Sequence, residues 1–164
     1  MSRLVGQELP PQLLEQLSGR DLRSRFGRVI PAVTVDAAGF PHPALLSFGE
    51  VVALDARRIG LATYADSTTT NNMRRNGRLT LLLVEAEGTY YIKGTVKERP
   101  GGLDGFPGLA QWKMHIEQVL EDGTRSDIEG EARIASGIRF GAGAGEAALL
   151  KQWEAVVAAL RGAG

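Results

Sequence analysis

The spacing of apolar positions changes several times along the chain, and each change predicts an element. Leu13, Leu14 and Leu17 fall on one stripe, which predicts a short helix over residues 9–18. Its prolines suit a first turn, and Gly19 can end it. From Val29 the period shortens to two. Val29–Val35 is a β-branched strand, with Pro31 placing it at an edge or at the start of a ladder. After the turn Asp36–Gly39, residues 41–54 return as one or two strands bent near Gly49. A polar connection, 55–58, leads to the strand Ile59–Tyr64. Residues 67–76 form a helix, with Asp66 or Ser67 as cap and Gly77 as stop. Arg78–Val84 and Thr89–Lys97 make a hairpin around the turn Glu85–Gly88.

The second half is less uniform. Residues 100–108 hold four glycines and two prolines, so a loop follows the hairpin. Trp112, Met114 and Ile116 alternate with Lys113, His115 and Glu117, which marks another strand. Glu121–Thr124 is a turn, and residues 127–140 contain only short strand-like pieces. Leu149, Leu150, Trp153, Val156, Val157 and Leu160 then recur at helical spacing over residues 145–161. No internal repeat is present. Six or so strands with one embedded helix and helical ends predict a mainly β chain with some α, folded as a small closed or split antiparallel barrel. The expected organisation is an N-terminal helical segment (1–27), a barrel domain (28–140) and a C-terminal helix (141–164).

Composition narrows the function. The 164 residues suffice for one domain with a real core. Lys+Arg and Asp+Glu both total 19, so overall charge gives no support for nucleic-acid binding. The absence of cysteine excludes disulfides, thiolate zinc sites and a cysteine nucleophile. With His42 and His115 the only histidines, no histidine-rich metal cluster is expected. No apolar run approaches a membrane span, and the N-terminus lacks a secretory pattern. The expectation is a cytoplasmic protein without membrane or nucleic-acid partners. Glu85, Glu87 and Glu117 form no evident catalytic pair. Gly141–Gly145 lacks the Lys-Ser/Thr of a phosphate-binding P-loop.

The chemistry concentrates in Asp66-Ser67-Thr68-Thr69-Thr70-Asn71-Asn72-Met73-Arg74-Arg75-Asn76. Three consecutive threonines build a helix poorly, since β-branched hydroxyl residues lose rotamer freedom and compete for backbone hydrogen bonds. A conflict of this kind is expected at a functional site. A helix N-terminus presents unpaired N–H groups and a positive dipole end, and Ser67, Thr68 and Thr69 add hydroxyl donors there. Arg74 and Arg75 stand one to two turns further on as sources of charge. Two readings fit: a seat for a terminal phosphate, and a hydroxyl-capped surface helix with two solvated arginines.

The order of these pieces resembles the pyridoxamine 5′-phosphate oxidase-like flavin-binding split barrel. The resemblance runs from about Val29 to Glu98. It is carried by Gly39-Phe40-Pro41-His42-Pro43, Ile59-Gly60-Leu61-Ala62-Thr63, Ser67–Arg78 and Tyr91-Ile92-Lys93-Gly94. It implies a six-stranded antiparallel split β-barrel with short flanking helices. It also implies FMN as cofactor, with a haem or a deazaflavin as alternatives in a non-catalytic binding module. The phosphate would be held at Thr63, Ser67, Thr68 and Thr69, aided by Arg74 or Arg75. The ring would lie along residues 46–52, with Ser47 the nearest polar side chain, and Thr89 stands where the oxidases often present a glutamine. A homodimer with the cofactor at its interface, acting on a small-molecule substrate, completes the expectation. True oxidases carry Arg and Lys at the positions of Ser47, Val52, Thr68 and Thr69, and end in a strand with an Arg-x-His motif. This chain has neutral residues there and no histidine after His115. The resemblance therefore implies a flavin phosphate and an oxidoreductase passing electrons from a reduced donor to a small acceptor, not pyridoxal phosphate synthesis.

Overall fold

A computed structural model describes residues 2–86 and 88–162. The elements run β1 (Ser2–Gly6), α1 (Pro11–Gln16), β2 (Val29–Val35), β3 (Pro41–Ser47), β4 (Val51–Ala53), β5 (Arg58–Tyr64), α2 (Thr68–Asn76), β6 (Arg78–Glu85), β7 (Gly88–Glu98), β8 (Leu109–Asp122), α3 (Ser126–Glu129) and α4 (Glu146–Gly162). The strands form one antiparallel half-barrel sheet in the order β3-β2-β6-β7-β8-β5-β4. The predicted fold class is the observed one, with eight strands in place of six. The segment 41–54 is two strands, and β1 is an addition the hydrophobic pattern did not announce. Of the predicted turn 85–88, Glu87 lies outside the described residues.

The long strand β8 organises the sheet. It pairs with β7 along one edge, and along the other with β5 through its first half and with β1 through its last four residues. Alternation decides which side chains enter the core. Ile30, Ala32 and Thr34 of β2 are buried, as are Leu79, Leu81 and Leu83 of β6 and Trp112, Met114 and Ile116 of β8. Both ends of the chain join the same core. Leu9, Leu13 and Leu17 enter it from around α1, and Leu150, Trp153, Val156, Val157 and Leu160 enter it from α4. Arg161 of α4 donates to the carbonyl of Ser18, which ties the two ends together.

Loop 100–108 is a compact turn, not a slack connector. Leu103 is buried, its N–H donates to the Leu109 carbonyl (3.1 Å), and Arg99 N–H donates to Gln111 (2.8 Å). Residues 127–140 hold no strand; they contain one short helix and an isolated bridge from Arg28 to Arg139. Ile128, Ile134 and Ile138 remain exposed, and the pairing goes no further than that bridge, where Val29 N–H donates to the Ile138 carbonyl (3.1 Å) and Phe140 N–H to the Gly27 carbonyl (2.8 Å). Among the described residues no helix is long and apolar enough to cross a membrane.

Candidate cofactor site

Helix α2 begins as its sequence demands. Ser67 is the N-cap, and its Oγ accepts from Thr70 N–H at 3.2 Å. Its carbonyl accepts from Asn71 N–H at 3.0 Å. Gly77 closes the helix in the left-handed conformation, at φ 65°, where a Cβ would be strained. The N–H groups of Thr68 and Thr69 have no partner among the described residues, and they sit at the positive end of the helix dipole.

The threonine run divides by burial. Thr68 is exposed, while Thr69 and Thr70 are buried. Thr70 belongs to a chain of hydrogen bonds whose direction is forced. Its hydroxyl donates to the Tyr64 carbonyl (2.8 Å), so the 2.6 Å contact with Thr63 must be a donation from Thr63. Thr63 in turn accepts from the Trp112 indole N–H at 2.9 Å. The hydroxyl proton of Thr63 is thus used inside the fold. Sequence reasoning placed that side chain on the phosphate; the structure turns it to α2 and β8. Part of the conflict posed by the threonines is resolved in the same way, since Thr70 serves the core.

The arginines are also engaged. Arg74 reaches back beside the helix start, donating to the Ala65 carbonyl at 3.0 Å. There Glu98 holds it through two hydrogen bonds of 2.8 and 2.6 Å. The bond to Glu98 raises the Arg74 pKa, and the same bond lowers that of Glu98. Arg75 points the other way, donating to the Val35 carbonyl (2.6 Å) and to Asn72 Oδ1 (3.0 Å). Asn72, buried and overlooked in the sequence, donates onward to Thr34 and fastens α2 to β2.

The fold therefore gathers Thr63, Ser67, Thr68, Thr69 and Arg74 around the start of α2. It places Ser47, Arg75 and Thr89 elsewhere. Thr89 and Glu98 stand at opposite ends of β7, about 30 Å apart at the usual rise per residue. Since Glu98 pairs with Arg74, Thr89 is remote from the α2 site of its own chain. Its buried hydroxyl has no hydrogen-bond partner among the described residues. Ser47 turns onto Glu50, donating its N–H and its hydroxyl to one oxygen, Oε2, at 2.7 Å each. Burial raises the pKa of that carboxyl, against the lowering effect of the Ser47 bonds.

Ser47 and Glu50 line a cavity of about 530 Å³. It lies between the end of β5, loop 100–108 and α4, with Tyr64, Phe106, Phe140 and Trp153 in its walls. A larger cavity, about 690 Å³, lies over β5, β7 and β8, and includes Arg58, Lys97, Lys113 and His115. Sequence reasoning missed Glu50. The available signal was Ser47-x-x-Glu50, the spacing at which a glutamate reaches back to a preceding N–H, here used in a turn.

As a test of fit, a phosphate at α2 would meet two free N–H groups and the hydroxyls of Ser67 and Thr68. These suit it as neutral donors. Asp66 precedes them, and the nearest cation, Arg74, is already paired with Glu98.

The comparisons agree with this architecture. Residues 27–136 match the family model described as pyridoxamine 5′-phosphate oxidase, and the chain belongs to that family. YclD, an uncharacterised protein of Bacillus subtilis, is 27% identical over 129 residues, covering 79% of this chain and 80% of its own. Two solved structures show the same fold. One is a Lactobacillus delbrueckii protein provisionally assigned as a pyridoxamine 5′-phosphate oxidase. It is 18% identical, covers 73% of this chain and 98% of its own, and has a TM-score of 0.58. The other is HupZ of Group A Streptococcus, 19% identical, covering 81% of this chain and 100% of its own, with a TM-score of 0.53.

Proposed function

We propose that this protein is an FMN-binding oxidoreductase working as a homodimer, with the FMN phosphate seated on the first turn of α2. The observation that carries the reading is the pair of free N–H groups of Thr68 and Thr69, flanked by the Ser67 and Thr68 hydroxyls. A bound flavin supplies the electron transfer, and the chain supplies position and shielding. The Trp112–Thr63–Thr70–Tyr64 relay holds the end of β5 against α2, which keeps the seat rigid. Ser67 caps the helix and still has its own proton to donate. Edge strand β3 leaves Leu45 62% exposed, and Tyr64 beside the seat is 68% exposed. Apolar side chains so placed suit a ring or a second copy of the chain. The remoteness of Thr89 fits a site completed by the second copy, since no contact to its own α2 is in reach.

The test compares FMN with riboflavin, which lacks the phosphate, by quenching of flavin fluorescence. FMN is expected to bind more tightly. Thr68→Glu places a carboxylate where the phosphate would sit, yet an acidic first turn suits the helix dipole, so the fold should persist. It should weaken FMN by about tenfold or more and leave riboflavin nearly unchanged. Equal affinities for the two flavins, or no flavin binding, would overturn the reading. Bleaching of the bound flavin by a reduced nicotinamide donor is expected of an oxidoreductase; a spectrum that no donor bleaches would reduce the function to flavin binding without turnover.

A further inference from the structure

The register of the sheet sets two lysines against each other. Lys97 of β7 stands directly opposite Lys113 of β8, and Lys113 stands opposite Gly60 of β5. Side chains two residues apart share a face, so Thr95, His115 and Arg58 form the next rung on the same side. Like charges directly opposite on neighbouring strands repel. Neither lysine forms an ion pair among the described residues. On an open surface water would screen that repulsion, but here the pair lines the cavity of about 690 Å³ over β5, β7 and β8.

The cavity combines one sign of charge with an apolar wall. Gly60 leaves a hollow beside Lys113: a Cβ there would lie 3.4 Å from Leu54 Cδ2 and 3.6 Å from Leu160 Cβ, so Leu54 and Leu160 wall that side. Arg58, Arg99 and His115 add to the basic lining. Asp55 holds Arg58 at 2.6 Å, and Arg99 donates to Gln111 Oε1 at 3.2 Å and lies 3.9 Å from Asp104. Glu98 is the one acidic residue among those lining the cavity. Alternation turns it to the other face of β7, where Arg74 holds it. The chain as a whole is neutral, so this excess of positive charge is local. A cleft lined by one sign of charge with low-dielectric walls concentrates ions of the opposite sign.

We propose that this cavity binds an amphipathic anion, an aliphatic carboxylate whose head lies between Lys97 and Lys113 and whose tail runs over Gly60 against Leu54 and Leu160. Two ammonium groups on flexible stems suit such a head through charge-assisted hydrogen bonds, and the volume is that of a small-molecule site. None of the lining residues belongs to α2 or to the stretch 46–52, so the proposal does not rest on flavin binding.

The experiment is calorimetric titration of the full chain with octanoate, with butyrate as the same head on a short tail and octylamine as the matched cation. It is run without FMN, so a failure to bind flavin leaves its outcome untouched. Octanoate is expected to bind at one site, at least about tenfold more tightly than butyrate, and octylamine to give no heat. Lys113→Gln and Lys97→Gln remove one charge each at exposed positions, so the fold should persist, and each should weaken octanoate by about tenfold. Lys93→Gln removes an exposed charge from the same face of β7 outside the cavity and should leave the affinity within about twofold. Absence of octanoate binding at millimolar concentration, equal binding of butyrate or octylamine, unchanged affinity in Lys113→Gln and Lys97→Gln, or an equal loss in Lys93→Gln would overturn the proposal.

Discussion

Thr89 shows how a resemblance and a structure can assign one residue differently. The family pattern aligns it with a ring-contacting glutamine, yet its hydroxyl is buried with no hydrogen-bond partner among the described residues. A hydroxyl in that condition costs stability, because its water is lost and nothing replaces it. Thr89→Val keeps the β-branched shape on β7 and removes the unpaired group. It should stabilise the protein by about 1 kcal/mol, read as a shift in urea midpoint at constant slope. A loss of stability would mean that the hydroxyl has a role the isolated chain does not display. The neighbouring case is Thr63. Its residue type was a sound reason to expect a ligand, but hydroxyl donors serve a core equally well. Only the positions of Trp112 and Thr70 reveal that its proton is already used. Thr70 is near in sequence, but Trp112 is 49 residues away on another strand, so the difference was not legible there.

At the scale of elements, the helix α4 depends on a glycine far from it in sequence. Gly49, in the turn between β3 and β4, lies under the indole of Trp153, and a Cβ at Gly49 would collide with that ring. Gly49→Ala should therefore push α4 outward. Overpacking of this kind costs about 1–3 kcal/mol. The expected readout is a lower unfolding midpoint together with faster tryptic cleavage within residues 146–162; unchanged stability would mean that the turn and the helix yield without cost. Legibility in the sequence follows the same logic. Strands β2, β6 and β8 could be read because every second residue is buried against one core. Helix α4 could be read because its buried stripe has the helical period. β1 could not, since Arg3, Leu4 and Val5 stay exposed and its order comes from backbone pairing with β8 and the Arg3–Glu121 ion pair. The cavity at Glu50 could not either, because its walls come from the β3–β4 turn, β5, loop 100–108 and α4.

For the whole molecule, the carboxylates act on stability in two opposite directions with pH. Glu98, Glu121, Asp122 and Asp127 have lowered pKa values through hydrogen bonds from Arg74, Arg3, Tyr91 and Arg125. Their contribution is present above the unfolded carboxylate range and is lost as pH falls through the folded values. All four are well solvated, so screening keeps each contribution small. Glu50 has the reverse sign. Burial raises its pKa above 4.5, so the folded state holds the proton more firmly than the unfolded chain does. Its neutral form is fully compatible with the fold below the unfolded pKa; that compatibility is lost as pH rises through the folded value, where an ionised carboxylate must stay buried. The other titratable side chain lining its cavity is Tyr64, which is mostly exposed. Glu50→Gln should therefore gain stability relative to wild type as pH rises above the unfolded carboxylate range toward neutrality. Urea unfolding of both proteins across that range checks it. Parallel curves would show that Glu50 titrates alike in the folded and unfolded chain.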